Sequence, residues 1–368
     1  MDMLIEIGKD VVARAYEGDA LALDVLKDLA VAFKKCFHII FTDRSSLLVI
    51  QKIAGLNKDD KKVYELIGLK LASNKGFYDS FGFHAYITFE KTTSMSSDMV
   101  IVNPLEIPSF EWFSRTKLVT ENLLDADFYD FVVVYYMRKT KIRGFKSESD
   151  NIPGGGDTTV QYCDKQIKAK KNFCLIIVDS DLKYKGGSLK ETSGKVKSSI
   201  DKGMPFNCNY YVIERLSEIE NLIPFPIIAS FSCYKNNQII RDKLQFCHDY
   251  FDFKKGLWTN EIVNNDFYRY WHEKLCHIQS VIDIVEEYRE KAVKCGGKRE
   301  EYEKFKHRLL IEGFGEKLLS TIMKNAEAVA SLRKVEDADL SPEQRNVWNG
   351  MGQMIFEWCC AFRNYKNT

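Results

Sequence analysis

The sequence predicts an α/β protein: a central, mostly parallel sheet with flanking helices, preceded by a small α/β segment and followed by a helical one. Three observations carry this. From Lys117 onward short apolar strands alternate with helical stretches, the order that builds a parallel sheet covered by helices. Before that point, β-branched and aromatic runs such as Ala85-Tyr86-Ile87-Thr88-Phe89 follow helical stretches, and Asn103-Pro104 and Ile107-Pro108 interrupt regular structure. Beyond Asn264 apolar residues recur at helical spacing, as Ile278, Val281, Ile282, Ile284 and Val285 do. The expected domains are residues 1–112, 113–263 and 264–368.

In the first segment a helical stretch is expected from about Glu6 to Lys35, then the strand His38-Ile39-Ile40-Phe41 and two helices through Leu56 and Ala72. Asp43 suits the N-cap of a helix from Ser45 better than the role of a catalytic acid. Strands Ala85–Phe89 and Met99–Val102 follow. In the second segment Leu118-Val119-Thr120 is a short strand ending at Glu121, a helix runs from Asp125 to Met137, and Gly154-Gly155-Gly156 is a loop. A helix from Thr158 to Lys170 then leads into the strand Phe173–Val178. Lys183 to Gly203 reads as a polar loop, Tyr210–Glu214 as a strand, and Ser217–Asn221 as a turn of helix closed by Pro224 and Pro226. In the third, Leu309, Leu310, Leu318, Leu319 and Ile322 continue the helical pattern, which suits a cap or an oligomerisation module.

Composition narrows the function classes. With 45% hydrophobic and 29% charged residues and a formal net charge of +1, the chain is not coated in basic charge, so any nucleic-acid contact must come from local patches. Ten cysteines include no Cys-x-x-Cys pair, and Met1-Asp2-Met3-Leu4-Ile5-Glu6 lacks the layout of a secretory signal; reduced thiols in a cytoplasmic protein are expected. Runs such as Phe131–Met137 fall short of the ~20 apolar residues that span a bilayer, so no membrane segment is expected.

The most informative stretch is Leu175-Ile176-Ile177-Val178-Asp179-Ser180-Asp181, an apolar strand that delivers two carboxylates at i and i+2. On a strand such a pair shares a face, at the edge where open α/β sheets bind ligands. Together the charges repel, whereas a hard divalent cation accepts both. An acidic turn is the plain structural alternative. Gly154, Gly155 and Gly156 permit positive φ and close backbone approach, so amides of the following helix are expected to face a phosphate. Lys183, Lys185, Lys190, Lys195, Lys197 and Lys202 load the segment after the acids, where they would neutralise substrate phosphates or form a solvated loop. Lys254-Lys255-Gly256 offers a further cation, with surface lysine as the plain reading. Ser193-Gly194-Lys195-Val196 is no P-loop, because its glycine spacing is too long and the lysine precedes neither Ser nor Thr. His272, Cys276 and His277 have no matching ligand pair nearby, which favours helix packing over zinc.

Four features stand in order: a strand ending in Glu121, the glycine loop, the Asp179/Asp181 pair, and the acidic turn Ser217-Glu218-Ile219-Glu220-Asn221. Over roughly Arg115 to Pro226 this order resembles the Toprim domain of topoisomerases, primases and a group of nucleases. The turn resembles the overcoming-lysogenization-defect type and related bacterial antiviral defence nucleases. The resemblance implies a Toprim-like sheet in which Glu121, Asp179 and Asp181 surround one or two Mg²⁺ or Mn²⁺ ions, about 4 Å apart where there are two. Glu220, and after it Glu218, would complete the second site. Asp125 lies one turn beyond Glu121, where a ligand role stands beside helix-dipole placement, as for Asp127. The implied activity is phosphodiester cleavage of DNA or RNA, with Gly154 to Gly156, Lys183, Lys185 and Lys255 binding substrate. The implied setting is antiviral defence, with a separate ATPase as partner and homo-oligomerisation open.

Two other classes fit part of the pattern. A nucleotide-sugar glycosyltransferase also holds Mn²⁺ on an Asp-x-Asp, with His38 to Asp43 as its nucleotide strand, but leaves Glu121, Glu218 and Glu220 as coincidence. A haloacid-dehalogenase-type phosphatase expects Thr or Val where Lys183 stands and opens its domain with the motif. A non-catalytic Toprim-like interaction module is the remaining alternative.

Overall fold

The computed structural model describes residues 3–73, 78, 81–107, 111, 113–230 and 248–363. Pro108 and the expected domain limit at residue 112 lie outside the described residues. The protein is mixed α/β with parallel sheets. Its contacts gather it into two units that alternate along the sequence, Met1–Val178 with Lys195–Tyr211 and Gly350–Thr368, and Asp179–Gly194 with Val212–Asn349. This differs from three consecutive segments, partly because the tail returns to the first unit, where Cys360–Phe362 pairs antiparallel with Phe145–Ser147. Among the described residues no helix is long and apolar enough to cross a membrane.

The strands, numbered along the chain, are β1 (Leu4–Ile7), β2 (Ile39–Phe41), β3 (His84–Ile87), β4 (Ser94–Met95), β5 (Met99–Val102), β6 (Lys117–Thr120), β7 (Phe145–Ser147), β8 (Asp150–Pro153), β9 (Cys174–Val178), β10 (Cys208–Val212), β11 (Leu257–Trp258), β12 (Leu309–Ile311) and β13 (Cys360–Phe362). In the first unit, one sheet has the order β2-β1-β3-β5-β4, parallel except for β4. The expected helix from Glu6 to Lys35 is instead β1 and two helices, Lys9–Tyr16 and Ala20–Lys34, parted at Gly18 with φ +95°. Ala20–Lys34 buries Ala22, Val25, Leu26, Leu29 and Phe33 at helical spacing, and Asp19 caps it by accepting from Ala22 N at 3.1 Å. Asp43 caps Arg44–Ile50, accepting from Ser45 N at 2.8 Å and Ser46 N at 3.1 Å.

The gap between β1 and β3, where the strand order reverses, is filled. Asp10 Oδ2 accepts from Thr88 Oγ1 at 3.0 Å and from Phe89 N, and a Cβ on Gly8 would fall 2.4 Å from Asp10 Oδ1. The place where such sheets usually take a nucleotide is thus closed by side chain and backbone.

The second sheet of this unit has the order β10-β9-β6-β8. β6 runs parallel to both neighbours, with Val119 opposite Ile152 and Ile176, so β6, β8 and β9 end at one edge. All five residues of β9 are buried, as a strand covered on both faces requires. β8 escaped the sequence reading because Asp150-Asn151-Ile152-Pro153 carries little apolar signal; as an edge strand it needs little.

The second unit is built on turns and helices. Helices Asn265–Leu275 and Gln279–Lys294 pack together, burying Phe267, Trp271, Leu275, Val281, Val285 and Tyr288. Two corrections to the sequence reading fall on this half of the chain. More than half of the expected loop from Lys183 to Gly203 is the helix Glu191–Gly203, and Leu309 and Leu310 lie on β12, which pairs antiparallel with β11. That pairing is drawn tight: Gly256 has φ +78°, and a Cβ there would lie 2.2 Å from Ile311 O and 2.6 Å from Gly313 N. Phe314 N donates to Phe253 O at 2.6 Å and Gly315 N to Lys254 O at 3.1 Å, fixing residues 253–256 against 311–315.

Gly256→Ala is therefore expected to cost about 3 kcal/mol or more, combining the left-handed penalty with a backbone clash. Gly194→Ala, with open space around its helical site, is expected to stabilise by up to ~1 kcal/mol. Urea unfolding of both variants checks this.

Candidate functional site

The strand β9 stops at Val178, one residue before the acidic pair. Ser180 is fully buried; its Oγ donates to Leu216 O at 2.6 Å and accepts from Leu182 N at 3.2 Å. Asp181 N donates to Ser217 O at 2.8 Å, and Asp181 has φ +54°, a left-handed conformation that Asp tolerates better than most residues. The i, i+2 rule for strands therefore does not govern Asp179 and Asp181. They serve different neighbours: Asp181 Oδ1 pairs with Lys190 Nζ at 3.1 Å, while buried Asp179 adds its charge to the field on Lys254.

The acidic turn is the centre of this unit. It is a 3-10 turn, Ile219–Leu222, capped by Glu218, whose N donates to Asn221 Oδ1 at 2.8 Å. Asn221 Nδ2 in turn donates to His248 O and to Phe251 O, at 2.5 and 3.0 Å. Gln344 Nε2 donates to Asn221 O at 2.8 Å, and Trp348 Nε1 to Leu222 O at 3.0 Å. So braced, the turn holds two glutamates that are 7% and 3% exposed, Glu218 and Glu220. Glu218 Oε1 accepts from Phe253 N at 3.1 Å and Oε2 from Lys254 Nζ at 3.1 Å. Lys254 Nζ also stands 3.1 Å from Glu220 Oε2, off the line of a hydrogen bond, so that buried oxygen has a charge partner and no donor.

Beside this pair opens a cavity of about 500 Å³. Asp181, Glu218, Asp252 and Glu261 line it together with Lys183, Lys190, Lys255 and Trp258. Asp252 accepts from Lys254 N and Lys255 N at 3.0 and 2.7 Å, which sets both lysines on the turn. Lys183 Nζ reaches Glu261 at 2.7 Å, and Arg299 holds the same carboxylate at 3.0 Å. Lys185 is exposed and is not among the lining residues.

Sequence reasoning passed over Lys254 as surface lysine and did not single out Asp252. Phe251 and Phe253 are fully buried on either side of Asp252, in a segment without regular structure.

The remaining candidates belong to the first unit. Glu121 follows β6. Asp125 forms the capping box of helix Leu123–Lys139, accepting from Asn122 N at 2.8 Å, which is the structural role weighed for it. Asp127 is exposed on that helix. Gly154 N donates to Thr120 O at 2.7 Å, and a Cβ on Gly154 would strike Thr159 Oγ1. Gly155 and Gly156 have positive φ, as expected of the loop. However, the amides of Thr158 and Thr159 donate to Gly155 O and Gly156 O, so two of the amides expected to face a phosphate are engaged. His272 lies 3.5 Å from Glu286 and Cys276 is exposed at a helix end.

Among the described residues no group of three or more His, Cys, Asp and Glu side chains has the spacing to hold a metal. At the glutamate pair the Lys254 ammonium bridges the two carboxylates. Compared with protein-family models, curated proteins and solved structures, the chain matches none.

The electrostatics follow from burial. Loss of water, then the charge of Glu220, push the Glu218 carboxyl up to about 8 despite Lys254. Burial opposes the Lys254 ammonium, but Glu218, Glu220 and Asp179 more than offset it and hold the group charged. His248, buried with Nε2 at 3.1 Å from Ile223 O, is pulled down to about 4 by burial.

Between about pH 5 and 8 the folded state thus keeps a proton on Glu218 that the unfolded chain releases. Metal-free stability is expected to fall as pH rises through this window, and Glu218→Gln to flatten that slope. For His248 the sign is opposite: the unfolded chain binds the extra proton between about pH 6.5 and 4, so its contribution is lost on acidification. Melting temperatures in chelator from pH 4 to 9, for wild type, Glu218→Gln and His248→Gln, check both.

Proposed function

We propose that this chain is a divalent-metal-dependent nuclease that hydrolyses phosphodiester bonds of DNA or RNA, with a Toprim-like catalytic region. The observation that carries the reading is the mixed cavity of the second unit, in which Asp181, Glu218 and Asp252 stand with Lys183, Lys190 and Lys255. A phosphodiester substrate needs both kinds of group, cations for its charge and carboxylates for the ion and proton chemistry at phosphorus.

The donors are of the type a hard cation takes, although among the described residues no three stand at ligating spacing. Glu218, Glu220 and Asp179 are buried carboxylates around one positive charge, and Glu220 Oε2 lacks a hydrogen-bond donor. By the Toprim resemblance these three and Asp181 are the acids that would hold Mg²⁺ or Mn²⁺. When bound, the ion would supply an activated water and polarise a phosphoryl oxygen. The chain's own groups do the rest. Lys183, Lys190 and Lys255 draw the phosphates in, so binding weakens with salt. Trp258, 40% exposed and anchored by its Nε1 to Lys255 O at 2.9 Å, offers a ring on which a base can stack. Burial of Ser180 and the brace on Asn221 keep the acids in place without substrate.

Three further points support the reading. β6 and β9 are parallel neighbours, and Glu121 follows the one as Asp179 follows the other. Asp43, at the end of the stretch a transferase would use as its nucleotide strand, is held as a helix cap, and Asp10 accepts from Thr88 and Phe89 beside β1. The sequence contains no P-loop, consistent with an antiviral effector that works with a separate ATPase.

Purified protein with Mg²⁺ or Mn²⁺ is expected to nick plasmid DNA or cut RNA, alone or with its ATPase partner, and Asp179→Ala to lower the rate at least about 100-fold. Undiminished cleavage by that variant in a nuclease-free preparation overturns the assignment.

A further inference from the structure

The cavity of the second unit holds an aromatic ring as well as charge. Trp258 lines it beside Lys255, Gly256 and Leu257, and Asn260 and Phe267 line it too. Along β11 the chain turns Leu257 inward, 5% exposed, and Trp258 outward, 40% exposed. Trp271, Trp348 and Trp358 are all buried, so among the described residues Trp258 is the tryptophan that meets solvent. Its orientation is set from within: Nε1, the one donor of the indole, is spent on Lys255 O at 2.9 Å. What the ring has left to offer a ligand is its apolar surface. Leu309 stands opposite it across the β11–β12 pairing, 39% exposed, and extends that surface.

The cations beside the ring are not equivalent. Lys183 Nζ is paired with Glu261 at 2.7 Å and Lys190 Nζ with Asp181 at 3.1 Å, whereas Lys255 makes no ion pair among the described residues. The Lys255 amide is held by Asp252 and its carbonyl by Trp258, so that ammonium and the fixed ring rise from one short segment. A ligand that uses both carries an anion and a flat apolar face a few bonds apart. A nucleotide does so when its base is unpaired. In a duplex each base is covered above and below by its neighbours, and the sugar–phosphate backbone faces outward, so the indole has nothing to take. A cavity of about 500 Å³ has room for a base with its phosphate and none for a double helix.

We infer that this cavity binds an unpaired nucleotide of a DNA or RNA strand, its base on Trp258 and its phosphate on Lys255, and so selects single strands over duplex. The inference rests on the reading of the cavity as a phosphodiester site and adds the state of the strand to it. Asn260 carries both a donor and an acceptor for the edge of the base.

The test is binding of labelled oligo-dT and oligo-U, and of a duplex of equal length, to the full chain in chelator at low salt. Fluorescence anisotropy reads it for wild type, Trp258→Ala and Trp258→Phe. The unpaired strands are expected to bind at least about tenfold tighter than the duplex, to lose at least about fivefold in Trp258→Ala, and to recover in Trp258→Phe, with duplex binding unmoved by either change. Duplex bound as tightly as the unpaired strands, or those strands held as tightly by Trp258→Ala as by wild type, overturns the inference and leaves the phosphodiester site standing. No binding of either form overturns the site and the inference with it. Should Trp258→Ala fail to fold, tryptophan emission decides instead. A bound unpaired strand is expected to quench wild type more than Trp258→Phe; equal quenching overturns the stacking.

Discussion

Glu218 and Glu220 are held almost wholly out of water by a turn of five residues, and one lysine answers both. Either carboxylate ionised alone in that position would cost several kcal/mol, and removing the lysine would leave both stranded. Apolar side chains of similar size would fill the same space at less cost, so the arrangement is poor design for stability. Groups kept in so expensive a state occur at functional sites and in structural ion-pair networks. The rest of the second unit is arranged around this constraint.

Asn221 is the hinge pin of that arrangement. Fully buried, it joins the turn to the loop at His248 and Phe251, while Gln344 and Trp348 seal the carbonyls on the far end. Buried polar networks are rigid when every member is satisfied, and here Glu220 Oε2 and His248 Nδ1 are without a hydrogen-bond partner. The Gly256 and Gly313 backbones press together beside Lys254 and Lys255. Asp252 then fixes the amides of both lysines, placing Lys255 on the cavity and Lys254 on the glutamates.

Elements whose apolar rhythm is strong were legible in the sequence: β9, the helix Leu123–Lys139, the turn at Glu218, and Asp43 as a cap. The misses share a cause, since local pattern carries no tertiary information. β1 merges with the helix after it because Leu4-Ile5-Glu6-Ile7 fits either period. β8 is polar, and its pairing with β6 is a long-range fact. The division at residues 112 and 263 assumed that units are consecutive, whereas the tail strand pairs with β7. Within the site, the acids were legible as residue types. Their partners were not: nothing adjacent to Glu218 and Glu220 announces Lys254, which lies 36 residues from Glu218. The left-handed turn at Asp181 could not be read either, so a strand rule was applied where the strand had ended.

The central claim is that the mixed cavity lined by Asp181, Glu218, Asp252, Lys183, Lys190 and Lys255 receives a phosphodiester. Binding of labelled single-stranded DNA and RNA by wild type and by a Lys183→Ala, Lys190→Ala, Lys255→Ala variant, over a range of salt, tests it most directly. The account predicts salt-dependent binding by wild type that is weakened at least about tenfold in the variant. Equal binding by both would contradict it.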